Sequence, residues 1–397
     1  MLIVPPAPLP PLHPGQTVVL EAGMHQGPWT ITTPGVRLVA RPGAVLDGGG
    51  RGSALQLSAE GIVVEGLRIQ NTGPGDDFYE PDAAVWLWKC KACRLEGLEG
   101  TGLTSAVRLE QSPGAQVLRS RFTGNGRAPG ITAFRSDDVH IVGNTLEGFL
   151  DNLYVEYGER LQVRDNRSSG AGRYGLHLMF TYRAELSGNH THRNRVGSAL
   201  MHGAENRVLH NIFADEVGPL RYGLLLQEEW KSKVKGNRFA GNTIGLLSLD
   251  SRETRLAHNR FEGNGTALLF ARDSDQNTLW AEANTFAGNL YDLAVDDPKA
   301  QVHLRGNAFD RASPLPIPYL PSSSFALLAT RQPDLSLLAL SPGILLWEAA
   351  EARVPGLRLL ALADAEARPT PRPQAPPNLL LWGLALLSLL GALWLRW

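Results

Sequence analysis

The chain has little sulfur and almost no net charge. Its 397 residues include two cysteines, Cys90 and Cys93, and four methionines, and the formal net charge is −1. Two cysteines cannot build a disulfide framework, so a packed core has to hold the fold together. Because no excess of positive charge is present, the electrostatic footprint of a nucleic-acid-binding protein is missing. We therefore expect no nucleic acid among the partners.

Charge is also absent near the end of the sequence. The segment Leu379–Leu395 has no charged residue, and it lies between Pro376–Pro377 and Arg396. Its 17 residues are at the short end of the range for a spanning helix. A buried core helix is the alternative, but an apolar terminal segment behind a Pro/Arg linker favours a membrane anchor. The N-terminus, in contrast, lacks the basic region and continuous apolar run of a signal peptide.

What the chain does have is a repeat marked by asparagine. Eight asparagines close successive strand–turn units at intervals of 22 to 26 residues: Asn144, Asn166, Asn189, Asn211, Asn237, Asn259, Asn284 and Asn307. A second series lies five residues further on, at Asn194, Asn242, Asn264 and Asn289. Leucine-rich repeats have a similar period, but they need a helical segment in each unit, and no unit here has ten residues of helical period. Short strands with Gly, Asn and Asp at the corners instead predict an all-β fold, a right-handed parallel β-helix of about a dozen coils with stacked asparagines.

Changes in composition divide the chain into five segments. We expect an N-terminal cap over residues 1–35, the β-helix over 36–309, and a short helical docking tail over 310–366. A Pro/Arg linker over 367–377 and one transmembrane helix over 378–397 complete the prediction. In the tail, apolar spacing predicts helical pieces within Ser324–Leu340 and Gly343–Leu362. The alternative role for these pieces is to cap the end of the β-helix, as repeat proteins require.

Alternation along the strands predicts which side chains leave the core. Leu176, Leu178, Leu224 and Leu226 hold equivalent positions before their asparagines, so we expect them to point inward. Their neighbours then form an outward row that is unusually apolar. From this row we predict a partner-binding surface at Phe134, Tyr154, Leu225, Leu247 and Leu249. Coverage by the chain's own loops or tail is the alternative.

One constellation on the same row could bind a metal. Met179 and Met201 both stand ten residues before their own asparagine, which stacks them on adjacent coils, and His177 lies beside them. Thioether and imidazole ligands together select Cu(I) and disfavour calcium, magnesium and manganese. We predict a transient Cu(I) site formed by His177, Met179, Met201 and His202, with His202 ranked below the others. Filling space against a covering loop is the alternative role of the methionines.

Two further motifs give weaker signals. His190 and His192 lie in the adjoining turn, and we expect their imidazoles to alternate in direction and to decorate that turn. Cys90 and Cys93 are spaced like a metal or redox dithiol, but they lie on a turn between two strands of one coil. A short structural disulfide or two free thiols is the expectation there, ahead of a copper site.

Enzymatic function finds less support. Carbohydrate lyases and hydrolases on β-helices need clustered carboxylates, with calcium or as general acid and base. The acidic pairs of this chain, Asp76–Asp77, Asp137–Asp138 and Asp296–Asp297, lie on distant coils and do not converge. We therefore predict a protein that is not an enzyme. A carbohydrate lyase or epimerase is kept as the competing hypothesis.

The segments RYGLHLMFTYRAELSGN and NRVGSALM resemble the NosD family, the maturation factors of nitrous oxide reductase. The resemblance covers about residues 36–309 and continues into the tail. It implies a periplasmic, extracytoplasmic accessory protein that relays or presents copper to nitrous oxide reductase. The partner that it implies is an ABC transporter permease. We also predict a copper chaperone as a partner, and we expect the C-terminal helix, which this role does not require, to anchor the chain in the membrane. A metal-free structural adaptor is a third hypothesis.

Overall fold

Each repeat unit of the sequence forms one coil made of three short strands. The computed structural model describes residues 2–5, 9–218, 221–271, 278–296, 300–310, 324–338, 341–354, 364 and 366–369. Within them, strands pair in parallel with their counterparts one coil away and build three sheets of 12, 14 and 14 strands. The chain visits the sheets in a fixed order, so the fold is a parallel β-helix of about 12 turns. It is of the right-handed type, as the sequence predicted.

The bounds of the strands in each of the three sheets are as follows. Sheet 1 holds Trp29–Ile31, Leu55–Leu57, Ala83–Trp88, Ser105–Glu110, Ile131–Phe134, Leu153–Glu159, Tyr174–Tyr182, Val196–Met201, Tyr222–Gln227, Ile244–Leu249, Thr266–Ala271 and Tyr291–Asp296. Sheet 2 holds Leu2–Val4, Thr17–Leu20, Arg37–Ala40, Val63–Glu65, Arg94–Glu96, Gln116–Leu118, His140–Val142, Gln162–Arg164, Glu185–Ser187, Arg207–Leu209, Lys233–Lys235, Thr254–Ala257, Thr278–Glu282 and Gln301–Arg305. Sheet 3 holds Gly23–Gln26, Ala44–Asp47, Arg68–Gln70, Glu99–Leu103, Arg121–Gly124, Thr145–Glu147, Arg167–Ser169, His190–His192, Ile212–Ala214, Arg238–Ala240, Arg260–Glu262, Thr285–Ala287, Ala308–Phe309 and Arg368–Pro369. Strands therefore begin before Val36, inside the segment assigned to a cap, and return within the segment assigned to the linker.

The predicted asparagine series forms a continuous buried ladder between sheets 2 and 3. From Asn144 to Asn284, each backbone N–H and each Nδ2 donates to Oδ1 of the asparagine one coil later, at 2.8–3.0 Å. The last member, Asn307, donates in the same way to Asp364. Because every buried amide finds a partner, the corner carries no desolvation cost from unpaired groups. Residue 364 of the tail therefore closes the ladder.

Two buried glutamates stand in ladders otherwise built from amides and hydroxyls. Glu216 accepts from both the backbone and the side chain of Asn194, and Asn242 continues that second series. Glu229 accepts from Asn206 and Ser232 at the corner between sheets 1 and 2. Burial raises the pKa of each carboxyl to about 7. Both glutamates flank the strand Tyr222–Gln227, one coil after Met201.

The core lies between the three sheets, as the alternation predicted. Leu176, Leu178, Leu224 and Leu226 are fully buried, which confirms the inward assignment. Phenylalanines from successive strands of sheet 3 stack 4.6–5.1 Å apart, from Phe213 to Phe309. Stacked identical side chains fill the interior without changing its cross-section from coil to coil.

The tail contains helices that pack on the outside of sheet 1. Helix α1 spans Ser324–Arg331, a 3-10 helix spans Pro333–Leu338, and helix α2 spans Pro342–Arg353. Ser341 caps helix α2 by accepting from the N–H of Ile344. Among the residues described, no helix has both the length and the apolar character needed to cross a bilayer. The segment 378–397, which carries the predicted anchor, lies outside the described residues.

Candidate metal centre

The outer face of sheet 1 brings three of the four predicted copper ligands together. Met179 pairs in register with Met201 on the next coil, and His177 pairs with Ala199 on one side and Tyr154 on the other. His177 and Met179 are two residues apart on one strand, so both point away from the core. The stacking that was predicted by counting back from the asparagines is confirmed. Their assignment as copper ligands stays a prediction.

A buried carboxylate orients His177. Nδ1 of His177 lies 3.0 Å from Oδ2 of Asp151, and Arg173 donates to both oxygens of the same carboxylate at 2.9 and 2.7 Å. Burial raises the pKa of Asp151, but the hydrogen bonds from Arg173 and His177 outweigh it, and the net pKa is below the usual value. The ionised carboxylate can only accept, so Nδ1 of His177 carries the proton.

The other ring nitrogen of His177, Nε2, is buried and has no hydrogen-bond partner among the residues that the structure describes. A buried nitrogen without a partner is costly in a packed protein. A carboxylate–histidine pair that leaves Nε2 unprotonated is also the usual support of a metal-binding imidazole. The ring is held on both sides by Tyr154 and Tyr174, with centroids 4.9 and 4.3 Å away.

The sulfur of Met179 keeps its lone pairs available. The hydroxyl of Tyr154 lies 3.7 Å from Sδ of Met179, but it is 2.6 Å from Oε2 of Glu156 and donates to that carboxylate. Burial, followed by the neighbouring Glu156, raises the pKa of Tyr154 well above its usual value, so the phenol stays protonated. Met201 is 9% exposed, whereas Met179 is half-buried. Met179 is therefore the methionine that solvent or a partner can reach.

His202 has partners of its own beyond the end of its strand. Its φ of 55° turns the chain away from the sheet, and its ring stacks 5.0 Å from Phe180. Nδ1 of His202 lies 3.2 Å from Oε2 of Glu228. Phe180 in turn stacks on Tyr157, so the three rings form a short aromatic stack. His202 therefore packs in this stack and not in the row that holds His177.

The residues of the predicted partner surface are largely covered. Tyr154, Leu225 and Leu247 are buried, and Phe134 and Leu249 are half-buried. Leu225 and Leu247 belong to an apolar cluster that also contains Met201 and, from helix α1, Phe325 and Ala329. Coverage by the chain's own tail, the alternative left open by the sequence, therefore applies to the C-terminal part of the row. Binding of a partner to this surface stays a prediction.

A loop whose contact with this site the sequence did not predict reaches it from coils nearer the N-terminus. Residues 72–82 are pinned at their base, where Gly75 and Asp82 exchange hydrogen bonds. At the tip, the ring of Phe78 lies 4.9 Å from Tyr154 and 4.8 Å from the guanidinium of Arg173. Beneath the loop is a cavity of about 200 Å³, lined by Phe78, Tyr79, Glu80, Arg108, Glu110, Gln111, Thr132, Ala133, Phe134 and Tyr154. Neither periodicity nor a motif marks this loop in the sequence.

The two cysteines of the chain are a further candidate for metal chemistry. Cys90 and Cys93 form a disulfide with Cα atoms 5.6 Å apart, one of the two outcomes expected for them. Their sulfurs are therefore not thiolate ligands. Across the described ranges, no three His, Cys, Asp or Glu side chains converge to hold a metal ion. A site on sheet 1 has to use thioethers.

The part of the sequence that holds these residues is similar to known proteins. The family model described as periplasmic copper-binding protein (NosD) matches residues 116–309, which include every residue of the candidate centre. Over these residues the chain matches the NosD family. Two NosD proteins described as probable ABC transporter binding proteins, from Pseudomonas aeruginosa and Stutzerimonas stutzeri, are each 30% identical to it. The matches cover 48% and 45% of this chain but only 56% and 31% of those relatives.

Solved structures share the fold at low identity. The periplasmic alginate epimerase AlgG matches with a TM-score of 0.57 at 14% identity over 75% of this chain and 77% of its own. The adhesin PfbA of Streptococcus pneumoniae matches with a TM-score of 0.51 at 11% identity over 74% of this chain and 91% of its own. One of these proteins is an enzyme and the other an adhesin, so the β-helix by itself does not indicate a function.

Proposed function

We propose that this protein is an extracytoplasmic accessory protein that relays or presents Cu(I) to nitrous oxide reductase. The observation that carries the proposal is the buried Nε2 of His177, which has no partner in the part of the chain that the structure describes. Asp151 holds this imidazole through Nδ1 beside the stacked pair Met179 and Met201. One imidazole and two thioethers match the preference of Cu(I) for soft ligands. Because the site uses few ligands and Met179 is half-buried, a partner can complete the coordination and take the ion.

The partners and the location follow from the NosD resemblance. The family description of a periplasmic copper-binding protein supports an extracytoplasmic location, and the buried Cys90–Cys93 disulfide suits an oxidising compartment. The relatives' description as ABC transporter binding proteins supports contact with a transporter permease. We propose nitrous oxide reductase as the acceptor and a copper chaperone as the donor. The uncharged segment 379–395 would anchor the chain, so deleting Asn378–Trp397 should release it from membranes with its fold intact.

Cu(I) affinity tests the proposal. Met179 and Met201 are replaced together by leucine, which preserves volume and apolar character, and Cu(I) is titrated against a competing chelator under reducing conditions. We expect wild-type protein to bind one Cu(I) at this site and the double variant to lose it. Met24→Leu, which alters an exposed methionine of sheet 3, is the matched control. Unchanged Cu(I) affinity in the double variant would mean that neither methionine binds the ion. The outward row of sheet 1 would then be a contact surface without a metal.

One observation keeps a carbohydrate-acting function as a second candidate. The cavity beneath residues 72–82 combines aromatic rings with Arg108 and Glu110, groups that bind sugars through stacking and bidentate hydrogen bonds. Arg108, however, is already paired with Glu110 and packs over Trp86. Titration with neutral and acidic oligosaccharides tests this candidate. Binding that is lost in Arg108→Gln but retained in the methionine double variant would support it.

A further inference from the structure

The two histidines of the HTH motif point the same way. His190 and His192 lie on one strand of sheet 3, and Thr191 between them is fully buried. Residues two apart on a strand share a face, so the expectation that these imidazoles alternate in direction is wrong. Both side chains are half-buried on the outer face of sheet 3. They are therefore a pair, on a different sheet from His177 and Met179.

The separation of the two rings fits a shared metal ion. Their centroids are 5.1 Å apart and their planes are inclined at 50°. A metal bound at about 2.0–2.1 Å from an imidazole nitrogen lies about 3.2 Å from the ring centre. Two rings at adjacent positions on one ion would then be about 4.5 Å apart in a square-planar arrangement and about 5.2 Å apart in a tetrahedral one, and two rings on opposite sides of an ion about 6.4 Å apart. The observed distance matches ligands that occupy adjacent positions on one ion.

Both histidines are prepared for coordination in their protonation state. Burial, together with the other cationic groups nearby, lowers the pKa of each imidazole below its usual value. Neutral imidazole is the form that binds metals. The facing charges are Asp215 and Glu147, which attract a cation, and Arg167, Arg193 and Arg238, which repel it.

One existing hydrogen bond has to break before a metal ion can bind both histidines. Nε of Arg193 donates to Nδ1 of His192 at 3.3 Å. Nδ1 therefore holds the lone pair of the neutral ring, and it is the nitrogen available to a metal. Arg193 is exposed, so its side chain can turn into solvent at little cost.

We propose that His190 and His192 form a second metal site, in which Cu(II) is held by two imidazoles and by water. The site contains no thioether, so its preference differs from that of the row on sheet 1. Among divalent ions of the first transition series, copper binds nitrogen ligands most tightly. The inference stands independently of the proposed Cu(I) relay, because the two sites share no residue.

The test is a Cu(II) titration of the full chain in the absence of reductant, with glycine as competitor and electron paramagnetic resonance as readout. We expect one Cu(II) with hyperfine coupling to ring nitrogens, and affinity lowered by about tenfold or more in either His190→Ala or His192→Ala. His210→Ala on the next coil is the matched control, and it should leave both affinity and spectrum unchanged. Zn(II) should bind more weakly than Cu(II) at the same pair.

Several results would overturn the proposal. Wild-type affinity in either alanine variant would remove that histidine, and an equal loss in His210→Ala would show nonspecific binding. His190→Gln, which keeps a polar side chain of similar reach, guards against a variant that folds poorly. Replacing Met179 and Met201 by leucine must leave Cu(II) binding intact. Loss of Cu(II) binding in that variant would mean that the Cu(I) and Cu(II) titrations report the same site.

Discussion

The outer face of sheet 1 changes its chemistry halfway along the β-helix. In the N-terminal half, the outward side chains near the loop 72–82 are polar or aromatic: Arg108, Glu110, Thr132, Phe134, Tyr154 and Glu156. Arg108 pairs with Glu110, and Tyr154 donates to Glu156. In the C-terminal half the column that holds Arg108, Thr132 and Tyr154 becomes apolar and joins the cluster that contains Phe325 of helix α1: Ala199, Leu225, Leu247, Leu269 and Ala294. The backbone and register are the same in both halves, so the side chains alone make the difference.

The candidate copper ligands lie at the border between the two halves. His177 belongs to the polar half through Asp151 and Arg173, whereas Met201 belongs to the apolar cluster. A soft ion at this border would have one oriented imidazole on its polar side. On the other side it would have thioethers from which water is partly excluded. Neither half alone supplies both kinds of ligand.

The largest expected effect is on stability, and it distinguishes the inward side chains of sheet 1 from the outward ones. Leu224→Ala and Leu178→Ala remove fully buried side chains and should each lower the free energy of unfolding by about 2–5 kcal/mol. Met179→Ala should cost clearly less, because its side chain leaves the core. Chemical denaturation of the three variants measures the difference. Equal losses at Leu178 and Met179 would mean that the pleat is assigned one residue out.

The apolar half should depend on its cover. Phe325 of helix α1 is buried, with its ring 6.2 Å from that of Tyr291. Phe325→Ala should weaken the docking of the helix by about 3 kcal/mol while the coils stay folded. Amide hydrogen exchange would then speed up in helix α1 and stay slow in the core strands. Leu328→Ala, on the exposed side of the same helix, is the control and should leave exchange unchanged.

The buried glutamates next to this border should make stability depend on pH. The pKa of Glu216 is about 7 in the folded chain against an ordinary value of 4.5, so the folded state holds a proton that the unfolded state releases. Stability should therefore fall as pH rises from about 4.5 to 7 and level off above. Glu216→Gln should remove the part of this fall that Glu216 contributes and exceed wild-type stability at pH 8, while Glu229, whose pKa is also about 7, keeps the rest of the fall. Glu99→Gln, which changes an exposed side chain, is the control. Denaturation curves across this pH range measure the difference in stability.

The asparagine ladder explains how much the sequence could predict. Amide pairs that bond along the axis need the same residue in every coil, so Asn144 to Asn307 stand out by counting, and the register of Met179 on Met201 follows from them. The contacts of Asp151 and Phe78 with this site could not be found this way, because both residues lie outside the strands. Coverage of Leu247 by the tail could be stated from sequence only as an alternative. Glu216 was hidden for another reason. It takes the place of an asparagine, and a buried ladder carboxylate looks in sequence like any surface acid.

The smallest expected effect tests whether the polar half orients the copper ligand. Asp151→Asn keeps the shape of the side chain but removes the charge that holds Nδ1 of His177 and the guanidinium of Arg173. Since carboxylates that support metal-binding histidines contribute about 10–100-fold to affinity, Cu(I) should bind more weakly by that factor. Asp138→Asn is matched, because Asp138 also accepts two bonds from an arginine, Arg160, but supports no candidate ligand. If both variants bind Cu(I) like the wild type, His177 is not a ligand, and the apolar half with Met201 has to hold the ion without it.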